Sequence, residues 1–131
     1  MSRTPPPRFG VAGNPLNFKR SPRRGDTLSA PAWLREIGLD AYEYEAVHGV
    51  TLSEERARAL GEAARACGIA LSVHAPYYTN FASLDPQTLR NAIRHLSDSV
   101  RAAARMGASV VVLHPGWYKG HADPARALAR C

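Results

Sequence analysis

The chain has only two cysteines, Cys67 and Cys131, far apart and without a CxxC pair. That is too few for a disulfide scaffold and the wrong spacing for a cysteine zinc site, so both are read as free thiols. No apolar run approaches the roughly 20 residues that span a bilayer, and Met1 to Arg8 has no apolar stretch of the kind a signal peptide carries. These absences predict a soluble, cytoplasmic protein with no membrane partner. Acid is missing from the start of the chain: Arg3, Arg8, Lys19, Arg20, Arg23 and Arg24 all precede the first carboxylate, Asp26, so the whole net charge of +6 lies in the first 24 residues. Such a segment suits phosphate binding, and suits equally a solvated tail beside Pro5, Pro6 and Pro7. What is present is ordinary globular material, 131 residues with 45% apolar and 21% charged, which excludes a disordered or fibrous chain and predicts one domain.

Strand and helix signals alternate along the chain. Arg8–Ala12 reads as a strand, and residues 13–27, rich in Asn, Pro, Arg and Gly, as a loop. A helix starts near Ser29 with Pro31 in its first turn, carries Trp33, Leu34 and Ile37 on one side, and ends at Gly38. Leu39–Ala46 alternates as a second strand. Ser53 is the N-cap of a helix whose stripe is Ala57, Leu60, Ala64 and Cys67 and which stops at Gly68. Ile69–Ala75 is a third strand. Asp85 then caps a helix with Pro86 at its first position, Leu89, Ile93, Leu96, Val100 and Ala103 on one face, and Gly107 at its end. Ala108–His114 is a β-branched run typical of a buried parallel strand, and residues 121–130 open a fourth helix. Regular alternation predicts an α/β fold of parallel (β/α) units with right-handed crossovers. Four units make either a small doubly wound sheet or half of an eight-stranded barrel, which takes about 250 residues.

Two histidines occupy corresponding places: His74 is next to last in the third strand, His114 is last in the fourth, and a proline follows each closely, in His74-Ala75-Pro76 and His114-Pro115-Gly116. Strands lie about 4.8 Å apart, so imidazoles at equal heights can reach one metal ion. Alternation places Ala70 and Ser72 beneath His74, and Val110 and Val112 beneath His114, with Leu71, Val73, Val111 and Leu113 on the other face. A lone histidine here would be a strand-end side chain bonded to a carbonyl; two in matching places point equally to a metal, histidine being the commonest zinc ligand. A catalytic zinc site needs a third protein ligand. Glu43 and Glu45, on one face opposite Tyr42 and Tyr44, are the nearest candidates, and are more readily read as rim carboxylates paired with arginine. His48, His95 and His121 are given no role. The loop Pro76-Tyr77-Tyr78-Thr79-Asn80-Phe81 carries aromatics that can stack on nucleotide bases or pack the loop itself.

These residues resemble the N-terminal part of the endonuclease IV family, apurinic/apyrimidinic endonucleases with a xylose isomerase-like TIM barrel. The likeness is carried by Arg8-Phe9-Gly10-Val11-Ala12-Gly13-Asn14-Pro15, Gly38-Leu39-Asp40-Ala41-Tyr42-Glu43-Tyr44, Val73-His74-Ala75-Pro76-Tyr77-Tyr78-Thr79-Asn80, and Met106-Gly107-Ala108 through Leu113-His114-Pro115-Gly116. The last two motifs are the more specific. The resemblance implies a half-barrel of the first four strands, residues 1–131 being the N-terminal part of one barrel domain. It implies that His74 and His114 bind zinc, that Tyr77 inserts at a damaged site, and that Tyr78 stands at the neighbouring wedge position, where a leucine is more usual. Family members of this kind hold up to three zinc ions and hydrolyse the phosphodiester 5′ to an abasic nucleotide in DNA. Lys19, Arg20, Arg23 and Arg24 are then expected on the phosphate backbone.

The family's remaining ligands come from later strands that these residues lack, so the expectation is a truncated form of a longer protein, inactive alone, or a half-barrel closed by a second chain. Two other functions fit the same scaffold: a sugar isomerase or epimerase with one divalent ion, in which Glu43 or Glu45 matters, and a catalytically inactive half-barrel that serves as an interaction module.

Overall fold

In the computed structural model, residues 6–118 and 120–131 are described; Arg3 of the basic segment lies outside them. The elements run β1 (Gly10–Ala12), α1 (Leu16–Arg20), α2 (Ala30–Glu36), β2 (Ala41–Glu45), α3 (Glu54–Cys67), β3 (Ala70–His74), α4 (Pro86–Met106), β4 (Val110–Val112) and α5 (Pro124–Leu128), with a 3₁₀ turn, Thr27–Ser29, leading into α2. The helix ends follow local chemistry. Ser53 Oγ accepts from the Arg56 N–H and the Asp85 carboxylate from the Thr88 N–H at 2.7 Å, satisfying first-turn donors. Gly68 and Gly107 close α3 and α4 in the left-handed conformation, each with φ of 69°.

The four strands form one parallel sheet in the order β1-β2-β3-β4. A doubly wound sheet reverses strand order at a switch point and carries helices on both faces; here the order is sequential and α2, α3 and α4 all pack on one face. The arrangement is therefore an arc of a barrel. Tyr42, Tyr44, Leu71 and Val73 are buried under the helices with Leu34, Leu60 and Met106, while the alternate residues, from Ala12 and Glu43 to Ser72 and Val110, line the open concave face. No helix of the described residues is long and apolar enough to cross a membrane.

Three sequence expectations need correction. The 13–27 loop contains α1, whose Phe18 is buried against Trp33 with ring centroids 5.5 Å apart. Ile37 does not share the buried side of α2, which consists of Ala30, Pro31, Trp33 and Leu34; it is the C-cap, where the chain turns away, and is exposed. On α4 the buried residues are Ala92, Ser99, Ala102, Ala103 and Met106, whereas Ile93 and Val100 are half exposed. Small side chains bring α4 close to α3: an added Cβ on Gly61 would stand 2.2 Å from the Met106 carbonyl oxygen.

Candidate metal centre and nucleic-acid face

The concave face is built in layers. Gly10, Ala41 and Ala70 are in register at the bottom, then Ala12, Glu43, Ser72 and Val110, then Glu45, His74 and Val112 at the carboxyl ends of the strands. In barrels this is the end where reactive groups gather, because the loops there are free to carry them. β3 ends on His74 itself, and β4 stops at Val112, so His114 stands beyond its strand rather than closing it. Strand tilt compensates: neighbouring barrel strands are offset along their length, and the two rings meet with centroids 5.2 Å apart and planes inclined at 43°.

That separation suits a shared ion. Two imidazoles on one tetrahedral zinc, each with Zn–N of about 2.1 Å, have ring centroids about 5 Å apart. The His74 Nδ1 lies 2.8 Å from the Ala75 carbonyl oxygen. A carbonyl only accepts, so Nδ1 carries the hydrogen and Nε2 is the nitrogen left to face a metal, the arrangement usual for a ligating histidine. The carbonyl contact of a plain strand-end histidine and the orienting contact of a ligand are thus the same bond here. The donor set fits zinc as two of the three protein ligands a catalytic site requires. Among the described residues no group of three His, Cys, Asp or Glu side chains is gathered to hold a metal. Glu43, one layer below the histidines, accepts a 2.7 Å hydrogen bond from Ser72 Oγ of its own layer, and Glu45, although in register with His74, lies against Gly13, where an added Cβ would be 2.2 Å from its Oε2. Neither makes an ion pair with an arginine among the described residues.

The loop after β3 is stitched to the segment after β4. Thr79 Oγ1 donates to the His114 carbonyl at 3.0 Å, Asn80 Oδ1 accepts from the Trp117 N–H at 3.3 Å, and the Phe81 N–H donates to the Pro115 carbonyl at 2.9 Å. Gly116 is obligatory at this seam: its φ is +152°, and an added Cβ would meet Asn80 Oδ1 at 2.3 Å. Tyr77 and Tyr78 project from the same loop, 58% and 38% exposed, edge to face with centroids 5.6 Å apart. Tyr78 also meets His95 of α4 edge to face at 5.4 Å. His95, without a role on sequence grounds, is the backing of this aromatic pair. Its spacing along the chain gives no hint of that, because the contact bridges a loop and a helix.

The basic loop follows β1, so it emerges at the same end of the sheet. Tyr42 Oη donates to Asn14 Oδ1 at 2.9 Å and Asn14 Nδ2 to Thr27 Oγ1 at 2.9 Å, which ties the base of the loop to β2. Burial, aided by Tyr44 and Glu45, pushes the Tyr42 hydroxyl above its ordinary range, so it remains a donor. Lys19, Arg20 and Arg24 are exposed and make no ion pair among the described residues. Arg23 is engaged: its Nε donates to Glu36 Oε1 at 2.6 Å, and that bond raises the guanidinium pKa and lowers that of the carboxyl. Asp26 is held below the usual carboxylate range chiefly by its bond to Arg56. His48 is exposed, and His121 Nε2 donates to the Ala82 carbonyl at 2.6 Å, away from the two-histidine site.

Comparison with known proteins matches residues 31–131 to the family described as xylose isomerase-like TIM barrel. An uncharacterised protein of Methanocaldococcus jannaschii is 33% identical over 110 residues, 84% of this chain and 37% of that protein. A probable endonuclease 4 of Pediococcus pentosaceus is 41% identical over 58 residues, 44% of this chain and 19% of its own length. Among solved structures, D-psicose 3-epimerase with D-tagatose from Clostridium cellulolyticum superposes with a TM-score of 0.71 at 18% identity, covering 94% of this chain and 44% of the epimerase. The chain thus spans less than half the length of each of these relatives.

Proposed function

The chain belongs to the xylose isomerase-like TIM barrel family, and from that premise we propose that it forms the N-terminal part of one barrel domain in a zinc-dependent endonuclease that cuts DNA at abasic sites. The observation that carries this reading is the His74–His114 pair, 5.2 Å between centroids, beside an exposed tyrosine pair at the same end of the sheet. Similarity to endonuclease 4 proteins supports DNA as the substrate over a sugar.

His74 and His114 hold the metal through ring nitrogens, His74 in the tautomer set by the Ala75 carbonyl. Bound there, zinc would supply a Lewis acid for a phosphoryl oxygen and would bring the pKa of water down toward neutrality. The remaining ligands come from beyond these four strands. Tyr77 and Tyr78 supply flat, half-exposed faces that fill the gap left by a missing base and stack on its neighbours. Lys19, Arg20 and Arg24 hold the phosphate backbone, with Arg23 a weaker contributor because Glu36 already occupies it.

The test is nicking of duplex DNA with one abasic site by the full-length protein, with a ketose epimerisation assay alongside. Activity on the duplex that is lost with chelator and in His74→Ala or His114→Ala supports the proposal. Proton exchange on a ketose with no effect on DNA would assign the protein to the sugar-modifying branch of the fold, and zinc binding without either activity would leave it an interaction module.

A further inference from the structure

Thr79 and Asn80 are buried polar residues, 3% and 4% exposed, in a loop whose preceding tyrosines are open to solvent. Asn80 is accounted for by the backbone donors of Ala82 and Trp117. Thr79 does something different. Its hydroxyl has one hydrogen and faces two carbonyls, Pro76 at 3.2 Å and His114 at 3.0 Å, so it makes a three-centre bond. Pro76 belongs to the turn that leaves His74; the other acceptor is the backbone of His114 itself.

Nothing in the sheet does this work. The sheet-like bonding from the β3 end runs out at the Ala75 N–H, which donates to the Val112 carbonyl at 2.9 Å, and backbone bonding between the two segments resumes only at Phe81 to Pro115. His114 falls in the gap, and among the described residues the Thr79 hydroxyl is the one donor to its carbonyl. We infer that Thr79 is a positioning residue, whose hydroxyl holds the His114 backbone where its imidazole meets that of His74. The consequence for metal affinity rests on the reading of the pair as zinc ligands; the consequence for the ring position does not.

The experiment uses the full-length protein and three variants: Thr79→Val, which keeps the shape and removes the hydroxyl, Thr79→Ala, which removes both, and Thr79→Ser, which keeps the hydroxyl. Zinc affinity is read by competition with a chromophoric chelator, and the metal-free imidazoles by ¹H–¹⁵N spectra. Loss of the hydroxyl is expected to weaken zinc binding about 10–100-fold, the usual cost of an outer-shell partner, and Thr79→Ser to restore it. In the metal-free protein the His114 ring signals should move in Thr79→Val and not in Thr79→Ser. Wild-type affinity together with unmoved His114 signals in Thr79→Val would overturn the inference. If zinc binding survives His74→Ala, the zinc reading fails instead and the metal-free spectra alone decide Thr79: a His114 shift upholds it and none overturns it. Thr79→Ala carries the same expectation and decides the matter should the valine protein not fold.

Discussion

His74 and His114 meet at 5.2 Å between ring centroids, although the residue that faces His74 across the β3–β4 ladder is Val112. Sheet register alone would pair the histidine with a valine. Strand tilt, and a backbone segment continued beyond β4 and tied to the neighbouring loop, bring the second imidazole level with the first.

Removing either ring should therefore cost a metal ion. In titration calorimetry His74→Ala and His114→Ala are each expected to bind one zinc fewer per chain than the wild type, with a thermal midpoint in the metal-free state close to it, since both rings are at least partly exposed. Unchanged zinc stoichiometry would remove the pair from the metal site.

The tyrosines separate binding from stability. Base–aromatic stacking is worth about 1–3 kcal/mol, so Tyr77→Ala should weaken binding to abasic duplex roughly 10–100-fold while barely moving the thermal midpoint, its side chain being 58% exposed. Tyr78→Ala should lower both, because it also releases His95. Fluorescence anisotropy at one stated salt concentration reads the affinities.

For the basic loop the informative quantity is a slope. Lys19→Ala with Arg20→Ala should reduce the dependence of log affinity on log salt by about one for each phosphate that is no longer neutralised. Arg23→Ala should change it less, since Glu36 already neutralises that charge. Equal slopes for wild type and the double variant would place the loop off the DNA.

Gly61→Ala probes the α3–α4 contact. An added methyl would press on the Met106 carbonyl oxygen at 2.2 Å, and backbone cannot swing aside as a flexible side chain can. Overpacking of this kind costs about 1–3 kcal/mol, readable as a lower urea midpoint with an unchanged m-value.

Acid should loosen α4 at its start. Hydrogen bonds from the Thr88 side chain and backbone hold the Asp85 carboxyl below its ordinary 3.8, so its contribution is complete above about that pH and is lost as pH falls through the lower folded value. Asp85→Asn should flatten the wild-type loss of stability in this window, and a parallel pair of stability–pH curves would contradict it.

Local chemistry was the legible part of this chain. The caps Ser53 and Asp85, the terminators Gly68 and Gly107, and the alternation of Tyr42, Glu43, Tyr44 and Glu45 are each set by neighbours within four residues, and the structure realises all of them. His74 was visible as a strand-end residue ahead of a proline; His114, read as the last residue of its strand, lies two residues beyond β4. Burial was less legible where close approach decided it: α4 packs through three alanines, a serine and Met106, so Ile93 and Val100, which periodicity would bury, are left half exposed. The helix α1 rests on one buried ring, Phe18, too little for a periodic signal. The bond from Thr79 to His114 joins residues 35 apart and leaves no trace in spacing.

The strictly sequential strand order has a consequence for how the molecule is made. Each strand after β1 pairs with the one synthesised just before it, and α3 and α4 each lie on their immediate predecessor. Each new β/α unit thus finds its pairing partner in the chain already made, without waiting for distant sequence. His74 leaves the ribosome before His114 does. The imidazole pair can form only once β4 has joined β3, so the two-histidine corner is the last part of this sheet to be completed.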